Sequence, residues 1–342
     1  MDYGHINSQP PGGLSPVGQA STDGPRLLPG RAGCHWRNAY DTIAPESERP
    51  GKRPGGAARN TFYHMAGKSL QKNQLSTTDE VQERLEPLIR APGDTAIFLD
   101  LDGTLAPIVS RPADVAVPPA VVKLVRRLAQ RYLAVVIVSG RQATEARRIV
   151  GIDELAYVGN HGFETMLPGH AVVVSPEAQP HVPAIRDLIK QCQSLAGIED
   201  SGVWVEDKTA TLSLHYRRAL DPEAAKKFIT ASIIPLADGL GLKVNEGRMV
   251  VEIKPPEKVD KGTAVRELID RLDAKQALYA GDDTTDIDAL RELRRRGKKQ
   301  VMVGVGVVSR EMPPALPRHA DLLVASRGGV EMLLSLLAGV EL

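Results

Sequence analysis

Six polar residues in four separate segments of the sequence could act together on one substrate. They provide carboxylates, one hydroxyl and one ammonium group, and they are Asp100, Asp102, Ser139, Lys261, Asp282 and Asp283. Carboxylates at this density would repel each other unless a cation lay between them. All-oxygen ligands of this kind suit Mg²⁺, which typically binds one or two carboxylates together with a phosphate of the substrate. The residue types therefore predict Mg²⁺-dependent chemistry on a phosphate group.

The pair Asp100 and Asp102 offers two carboxylates with separate tasks. Asp100 comes first after an apolar run and is the better candidate for a nucleophile that becomes an aspartyl-phosphate. Asp102 could protonate the departing oxygen and then deprotonate the water that hydrolyses the intermediate. Ser139 and Lys261 would stabilise charge on the transferring phosphoryl group. Gly103 lets the backbone turn sharply and approach the ligand closely.

These residues follow or open the elements of a repeating pattern, in which short apolar strands alternate with amphipathic helices. Strands are predicted at 95–101, 133–138, 156–160, 277–281, 301–306 and 321–325. Such alternation is typical of a parallel sheet covered on both faces, and ligands bind these sheets beyond the carboxyl ends of the strands. We therefore predict an α/β fold with a Rossmann-like, doubly wound parallel-sheet core that brings the four segments together.

The middle of the sequence follows a different pattern. Helices are predicted near 181–195 and 222–238, and strands at 203–207, 209–217, 242–246 and 248–254. The strands are separated by turn residues, which favours antiparallel pairs. We therefore expect an α+β cap domain at 166–255, inserted into a core formed by 76–165 and 256–342.

Residues 1–75 are rich in proline and glycine and lack apolar periodicity. A segment of this composition buries too little apolar surface to offset its ordering entropy, so we expect it to be disordered. Translation could start at Met1 or at Met65. The beginning of the sequence has neither the basic nor the apolar region of a signal peptide.

The overall composition excludes several classes of protein. The net charge is +1, which argues against binding nucleic acid through bulk electrostatics. Apolar runs fall short of the roughly 20 residues of a membrane span. The two cysteines, Cys34 and Cys192, indicate no disulfide framework and fit a reducing cytoplasm. We expect a cytoplasmic monomer that acts on a small molecule and contacts neither membrane nor nucleic acid.

Four motifs in this order resemble those of the haloacid dehalogenase superfamily. They are DLDGT (100–104), SGR (139–141), DKG (260–262) and GDDTTD (281–286). Within that superfamily, residues 80–342 look most like the trehalose-6-phosphate phosphatase family, through GNHGFE (159–164), VEDK (205–208) and EIKP (252–255) in addition. Ile287 and Leu290 depart from the family pattern, which commonly has an acidic residue and an aromatic there.

The resemblance implies a role for each matching residue. Mg²⁺ would be held by Asp100, the backbone carbonyl of Asp102 and Asp282, with Asp286 as a supporting carboxylate. Substrate contacts are expected from Asp100, Leu101, Asp102, Arg141, Asn160 and His161 in the core, and from Glu206, Lys208 and Glu252 in the cap. The implied reaction is hydrolysis of trehalose 6-phosphate to trehalose and phosphate, with the cap closing over the sugar.

Three alternatives stay open at this point. The substrate could be another sugar phosphate, such as sucrose 6-phosphate or a glucosyl-glycerol type. The chain could also be a phosphomutase with the same core, or a catalytically silent sensor of sugar phosphates. An acid/base at Asp102 argues against the sensor, because a protein that only binds has no use for one.

Overall fold

The computed structural model describes residues 75–109, 114–247, 249–296, 300–309, 312–326 and 328–340. The disorder expected for 1–75 therefore concerns, apart from Leu75, residues outside this range. None of the helices described is both long enough and apolar enough to cross a bilayer.

Strands in the described part of the chain form two sheets. In chain order they are β1 (Thr95–Leu99), β2 (Ala134–Val138), β3 (Ala156–Gly159), β4 (Glu164–Met166), β5 (Val172–Val174), β6 (Trp204–Asp207), β7 (Leu212–His215), β8 (Lys243–Gly247), β9 (Val250–Lys254), β10 (Gln276–Gly281), β11 (Val301–Val308) and β12 (Leu322–Ala325). The large sheet has the order β12-β11-β10-β1-β2-β3-β4-β5, and the small sheet has the order β6-β7-β9-β8.

Helices cover the faces of these sheets. They are α1 (Thr78–Arg90), α2 (Pro119–Arg131), α3 (Ala143–Val150), α4 (Val182–Ser194), α5 (Ile198–Ser201), α6 (Pro222–Phe228), α7 (Ile234–Gly239), α8 (Lys261–Arg271), α9 (Asp286–Arg296) and α10 (Gly328–Ala338). One apolar cluster packs α1, α2, α3 and α10 on one face of the large sheet. A second cluster packs α8 and α9 on the other. The doubly wound α/β core predicted from the sequence is confirmed.

The centre of the large sheet is parallel and fully buried. β1 lies between β10 and β2 and pairs with both in parallel, and all of its residues are buried, as are those of β2. This arrangement explains the continuous apolar runs in the sequence, because helices exclude water from both faces. It also places the carboxyl ends of β1, β2 and β10 side by side.

The edge of the large sheet differs from the prediction. β4 and β5 extend it with antiparallel pairs to β3 and to each other, so the sheet continues to Val174, past the boundary expected at residue 165. Each of these strands has three residues, and the sequence alternation of so short a segment cannot be read. The first strand also ends at Leu99, which leaves Asp100 and Leu101 in the turn that follows.

The small sheet is antiparallel throughout, as predicted. Its apolar face packs against α4, α6 and α7 in a cluster of its own. The helix predicted at 222–238 is interrupted by a π-helical turn at Ile229–Ile233. Pro235 accounts for this break, because proline has no N–H to donate to the preceding turn.

Candidate active site

Asp100 lies at the carboxyl end of β1 and is 4% exposed. Its Oδ1 accepts a hydrogen bond of 2.6 Å from Lys261 Nζ, while Oδ2 has no hydrogen-bond partner in the described part of the chain. Burial, followed by the negative charge of Asp286, raises the pKa of Asp100 well above its ordinary value despite the opposing effect of Lys261. A buried carboxylate oxygen without a donor is a suitable nucleophile or cation ligand.

Lys261 is the first residue of α8 and is 2% exposed. Asp260 and Thr263 form a capping box that fixes the start of this helix. The Lys261 ammonium donates to Asp100 and, also at 2.6 Å, to Asp286 Oδ1. Burial lowers the pKa of Lys261, but the charges of Asp100 and Asp286 outweigh this effect and raise it. The side chain is therefore a fixed positive charge at the bottom of the site.

Asp286 opens α9 and is fully buried. Its Oδ1 also accepts from the Tyr279 hydroxyl, and its Oδ2 accepts from the backbone amides of Asp282 and Asp283 at 2.9 and 2.8 Å. Both oxygens are therefore occupied by donors. Asp286 is therefore placed to position Asp282 and Lys261.

The three carboxylates Asp100, Asp282 and Asp286 each have an oxygen within 4.8 Å of those of the others. Asp282 Oδ1, like Asp100 Oδ2, is buried and lacks a hydrogen-bond partner among the described residues. A Cβ built on Gly103, whose φ is +87°, would lie 2.1 Å from Asp282 Oδ2, so only glycine leaves space there. Two unsatisfied carboxylate oxygens on rigid elements fit a hard divalent cation such as Mg²⁺.

The carboxylate of Asp102 lies outside that cluster. It forms a two-point salt bridge with Arg141, with distances of 2.8 Å from Nε to Oδ2 and 2.9 Å from Nη2 to Oδ1. Arg141 also contacts Glu145. The Asp102 side chain is therefore not a ligand of the same cation site, and only its backbone carbonyl, as expected from the sequence, is a candidate.

Ser139 lies just after a strand of the large sheet, whereas the side chain of Leu101 lies in the apolar core. Ser139 directly follows β2, is 1% exposed, and accepts from the Arg141 amide through its hydroxyl. The Leu101 side chain is fully buried in the apolar cluster on one face of the large sheet. A substrate contact expected from Leu101 is thus limited to its backbone. Ile287 and Leu290, which depart from the family pattern, are buried in the apolar cluster that also packs α8.

A left-handed turn after β3 joins the two sheets. Asn160 and His161 have φ values of 50° and 57°, a conformation that costs about 1–3 kcal/mol for residues other than glycine. Asn160 Nδ2 donates a hydrogen bond of 2.8 Å to the backbone carbonyl of Lys208. Glu164, to which the sequence assigned no role, is buried and accepts from the Ala143 amide, and it supports this turn.

Glu206, Lys208 and Glu252 share one face of the small sheet, because alternate residues of a strand point the same way and Glu206 and Glu252 both pair with Ser213. Lys208 Nζ lies 3.8 Å from Glu206 and 4.0 Å from Glu252. Glu252 lies 3.7 Å from His161. Burial raises the pKa of Glu252, but the hydrogen bond and charge of His161, with the charge of Lys208, lower it to about 2. The face is thus charged and directed at the core.

His215 and Trp204 were not assigned a role from the sequence. His215 Nε2 donates to Glu206 Oε2 at 2.7 Å, and the imidazole stacks on the indole of Trp204 with ring centroids 4.9 Å apart. The period-two alternation of 209–217 already predicted a strand, and the pairing of Trp204 with His215 and of Glu206 with Ser213 places His215 on the face of Glu206. Cross-strand register, which the sequence does not give, was needed to find the pair.

Comparison with known proteins points to one family. A family model described as trehalose-phosphatase matches residues 98–317. A trehalose-phosphate phosphatase of Mycobacterium ulcerans (strain Agy99) is 35% identical over 220 residues, which is 61% of this chain and 55% of the relative. A trehalose 6-phosphate phosphatase of Zea mays is 32% identical over 255 residues, covering 67% of each chain.

A further relative, an uncharacterized glycosyl hydrolase of Mycobacterium tuberculosis, is 34% identical over 229 residues, covering 63% of this chain and 16% of the relative. The chain therefore spans about half, or less, of the length of these mycobacterial relatives.

Solved structures share the fold. The C-terminal domain of a trehalose-6-phosphate phosphatase of C. albicans superposes with a TM-score of 0.60 at 21% identity, covering 80% of this chain and all of that one. A trehalose-6-phosphate phosphatase related protein gives a TM-score of 0.59 at 23% identity, covering 71% and 97% of the two chains.

Proposed function

Because the chain belongs to the trehalose-phosphatase family, we propose that it hydrolyses trehalose 6-phosphate to trehalose and phosphate through an aspartyl-phosphate on Asp100. The observation that carries the proposal is the buried Oδ2 of Asp100, which has no hydrogen-bond partner among the described residues, while Lys261 fixes the other oxygen. It lies in a core that contacts a charged, sugar-compatible face of the small sheet.

The chemistry follows from these positions. Asp100 Oδ2 attacks phosphorus, and the bond between phosphorus and the sugar oxygen breaks. Asp102 gives its proton to that oxygen, then takes one from the water that attacks the aspartyl-phosphate and frees Asp100. To do so, the Asp102 carboxyl must leave Arg141. Lys261 and the Ser139 hydroxyl hold phosphate oxygens. Mg²⁺, held by Asp100, Asp282 and the carbonyl of Asp102, would neutralise charge on the phosphoryl group.

The sugar is the part of the substrate that the small sheet would recognise. Carboxylates such as Glu206 and Glu252 accept hydrogen bonds from hydroxyls, and Arg141, Asn160, His161 and Lys208 can contact the sugar from either side. Closure of such a face over the core would exclude water from the reacting phosphate.

A phosphate-release panel tests the proposal. With Mg²⁺, we expect kcat/KM for trehalose 6-phosphate to exceed that for glucose 6-phosphate and sucrose 6-phosphate by at least about tenfold, and EDTA to remove activity. Equal rates on glucose 6-phosphate would contradict it. Binding without turnover would indicate a sensor, and phosphate transfer to sugar would indicate a phosphomutase.

A cation should also stabilise the fold in a pH-dependent way. Burial, followed by the charges of Asp286 and Asp283, raises the pKa of Asp282 from 3.8 to about 7. A carboxyl with a raised pKa in the folded state contributes stability at low pH, and that stability is lost as pH rises through the folded pKa. Mg²⁺ binds the ionised form, so we expect it to raise Tm more at about pH 8 than at about pH 5. Thermal unfolding measures this, and equal increases in Tm at the two pH values would contradict it. Asp282→Asn should abolish the difference between the two pH values.

We also propose a cytoplasmic, monomeric enzyme. Cys192 is a free, buried thiol in the apolar cluster of the small sheet, which suits a reducing compartment. One chain supplies every residue of the proposed site, so a partner copy is not required. Size-exclusion chromatography with light scattering tests the monomer.

A further inference from the structure

We propose that Trp204 and His215 form an aromatic platform that receives the sugar ring farther from the phosphate. This inference rests on the proposed function, because it requires a phosphorylated disaccharide as substrate. It adds a residue pair that would distinguish a disaccharide from a monosaccharide.

Trp204 is unusually exposed for a tryptophan side chain. It is the first residue of β6, an edge strand of the small sheet, and 58% of it is accessible to solvent. Its indole stacks on the imidazole of His215, its direct cross-strand partner, at an angle of 26° between the ring planes. A large aromatic ring that is ordered on one side and open on the other is suited to receive a ligand.

The platform shares a face with the charged residues that reach the core. Trp204 and Glu206 are alternate residues of β6, and Lys208 follows two positions later, so the three point the same way. Lys208 contacts the core through its ammonium, 3.4 Å from the Gly140 carbonyl. Successive steps of two residues advance about 6.6 Å along a strand, which places Trp204 at the end far from the core.

This direction matches the direction of the substrate. The phosphate binds at Asp100 in the core, so the first sugar ring lies between the core and Glu206 or Lys208. A second ring extends away from the core, along the face toward Trp204. Burial raises the pKa of Glu206, but the hydrogen bond of His215 and the charges of Lys208, His215 and Arg141 lower it. The effect of Arg141 indicates that Glu206 lies toward the catalytic turn, with Trp204 beyond it along the strand.

The chemistry of the pair suits a sugar ring. The C–H face of a pyranose is weakly positive and packs on the negative face of an indole. His215 is held in the platform by a hydrogen bond of 2.7 Å that it donates to Glu206 Oε2. The other oxygen of the Glu206 carboxylate stays available for a ring hydroxyl. Apolar contact from one face, with a carboxylate at the rim, is a common arrangement in small-molecule sites.

The test compares two substrates on the full chain. We expect Trp204→Ala to raise KM for trehalose 6-phosphate about tenfold and to weaken product inhibition by trehalose by a similar factor. It should change kcat/KM for glucose 6-phosphate less than about twofold, because that substrate has no second ring. Trp204→Phe, which keeps an aromatic ring, should retain most of the affinity. Leu220→Ala removes an exposed apolar side chain between β7 and α6 and serves as the matched control, with no effect expected on either substrate.

Each result decides the proposal. If Trp204→Ala lowered kcat/KM equally for both substrates, Trp204 would only support the fold. If the variant kept its kcat/KM for trehalose 6-phosphate, the second ring would lie elsewhere. Both overturn the platform while leaving the proposed function intact. A wild-type chain that does not hydrolyse trehalose 6-phosphate overturns both.

Discussion

Asp100→Asn abolishes phosphate release, with a loss in kcat of at least about 10⁴-fold. The amide cannot form an aspartyl-phosphate, but its oxygen can still accept the hydrogen bond that Lys261 makes to Asp100 Oδ1. Since burial and the charge of Asp286 raise the pKa of Asp100, removing the charge relieves an electrostatic cost. We therefore expect the variant, without added cation, to melt no lower than the wild type.

The two measurements are steady-state phosphate release and thermal unfolding. Asp79→Asn is the control, because Asp79 is an exposed carboxylate in the first turn of α1 and should leave activity unchanged. Full activity in Asp100→Asn would overturn the nucleophile assignment. Inactivity accompanied by a large fall in Tm would instead show that Asp100 mainly supports the structure.

Lys261→Met removes the positive charge that holds the cluster together. Lys261 bonds to both Asp100 and Asp286, and all three side chains are buried. Truncating one partner of a buried ion pair typically costs about 3–5 kcal/mol, because the remaining charges are left unpaired. We expect a loss of stability of this size in denaturant unfolding, and a loss in kcat of about 10²–10³-fold below the unfolding temperature.

The same substitution on the surface gives the control. Lys275 pairs with Asp273 and is 56% exposed, so Lys275→Met should change stability by less than about 1 kcal/mol. Adding Asp286→Asn to Lys261→Met removes one unpaired charge and should recover part of the stability without activity. Equal effects of the two lysine variants would show that the buried cluster is not held by Lys261.

The sequence predicted the parts of the site that depend on strand ends. Asp100, Ser139 and Asp282 each follow a strand of the parallel sheet, and Lys261 opens α8. Because parallel strands end at the same edge, the sequence predicted that Asp100 and Lys261, 161 residues apart, would lie near each other at that edge, and the structure adds a direct contact between them.

Side-chain directions could not be predicted in this way. Asp102 lies two residues from Asp100, yet its carboxylate binds Arg141 instead of joining the cluster, and this depends on how the turn at Gly103 is packed against Asp282. The contact of His215 with Glu206 depends on the register between β6 and β7. Strands β4 and β5 were too short to show a period. In each case the deciding information lies in tertiary packing.

The hydrogen bond from Asn160 that joins the two sheets has a consequence for how this protein can evolve. Asn160 holds the backbone carbonyl of residue 208, whereas the sugar contact proposed for that residue would use its side chain. Every amino acid offers the same carbonyl, so a mutation at Lys208 would remove the contact of its ammonium with Gly140 but would keep the hydrogen bond from Asn160. The attachment of the small sheet through Asn160 and the sugar contact proposed for position 208 can therefore vary separately, so substitutions at position 208 would change specificity while the hydrogen bond from Asn160 persists.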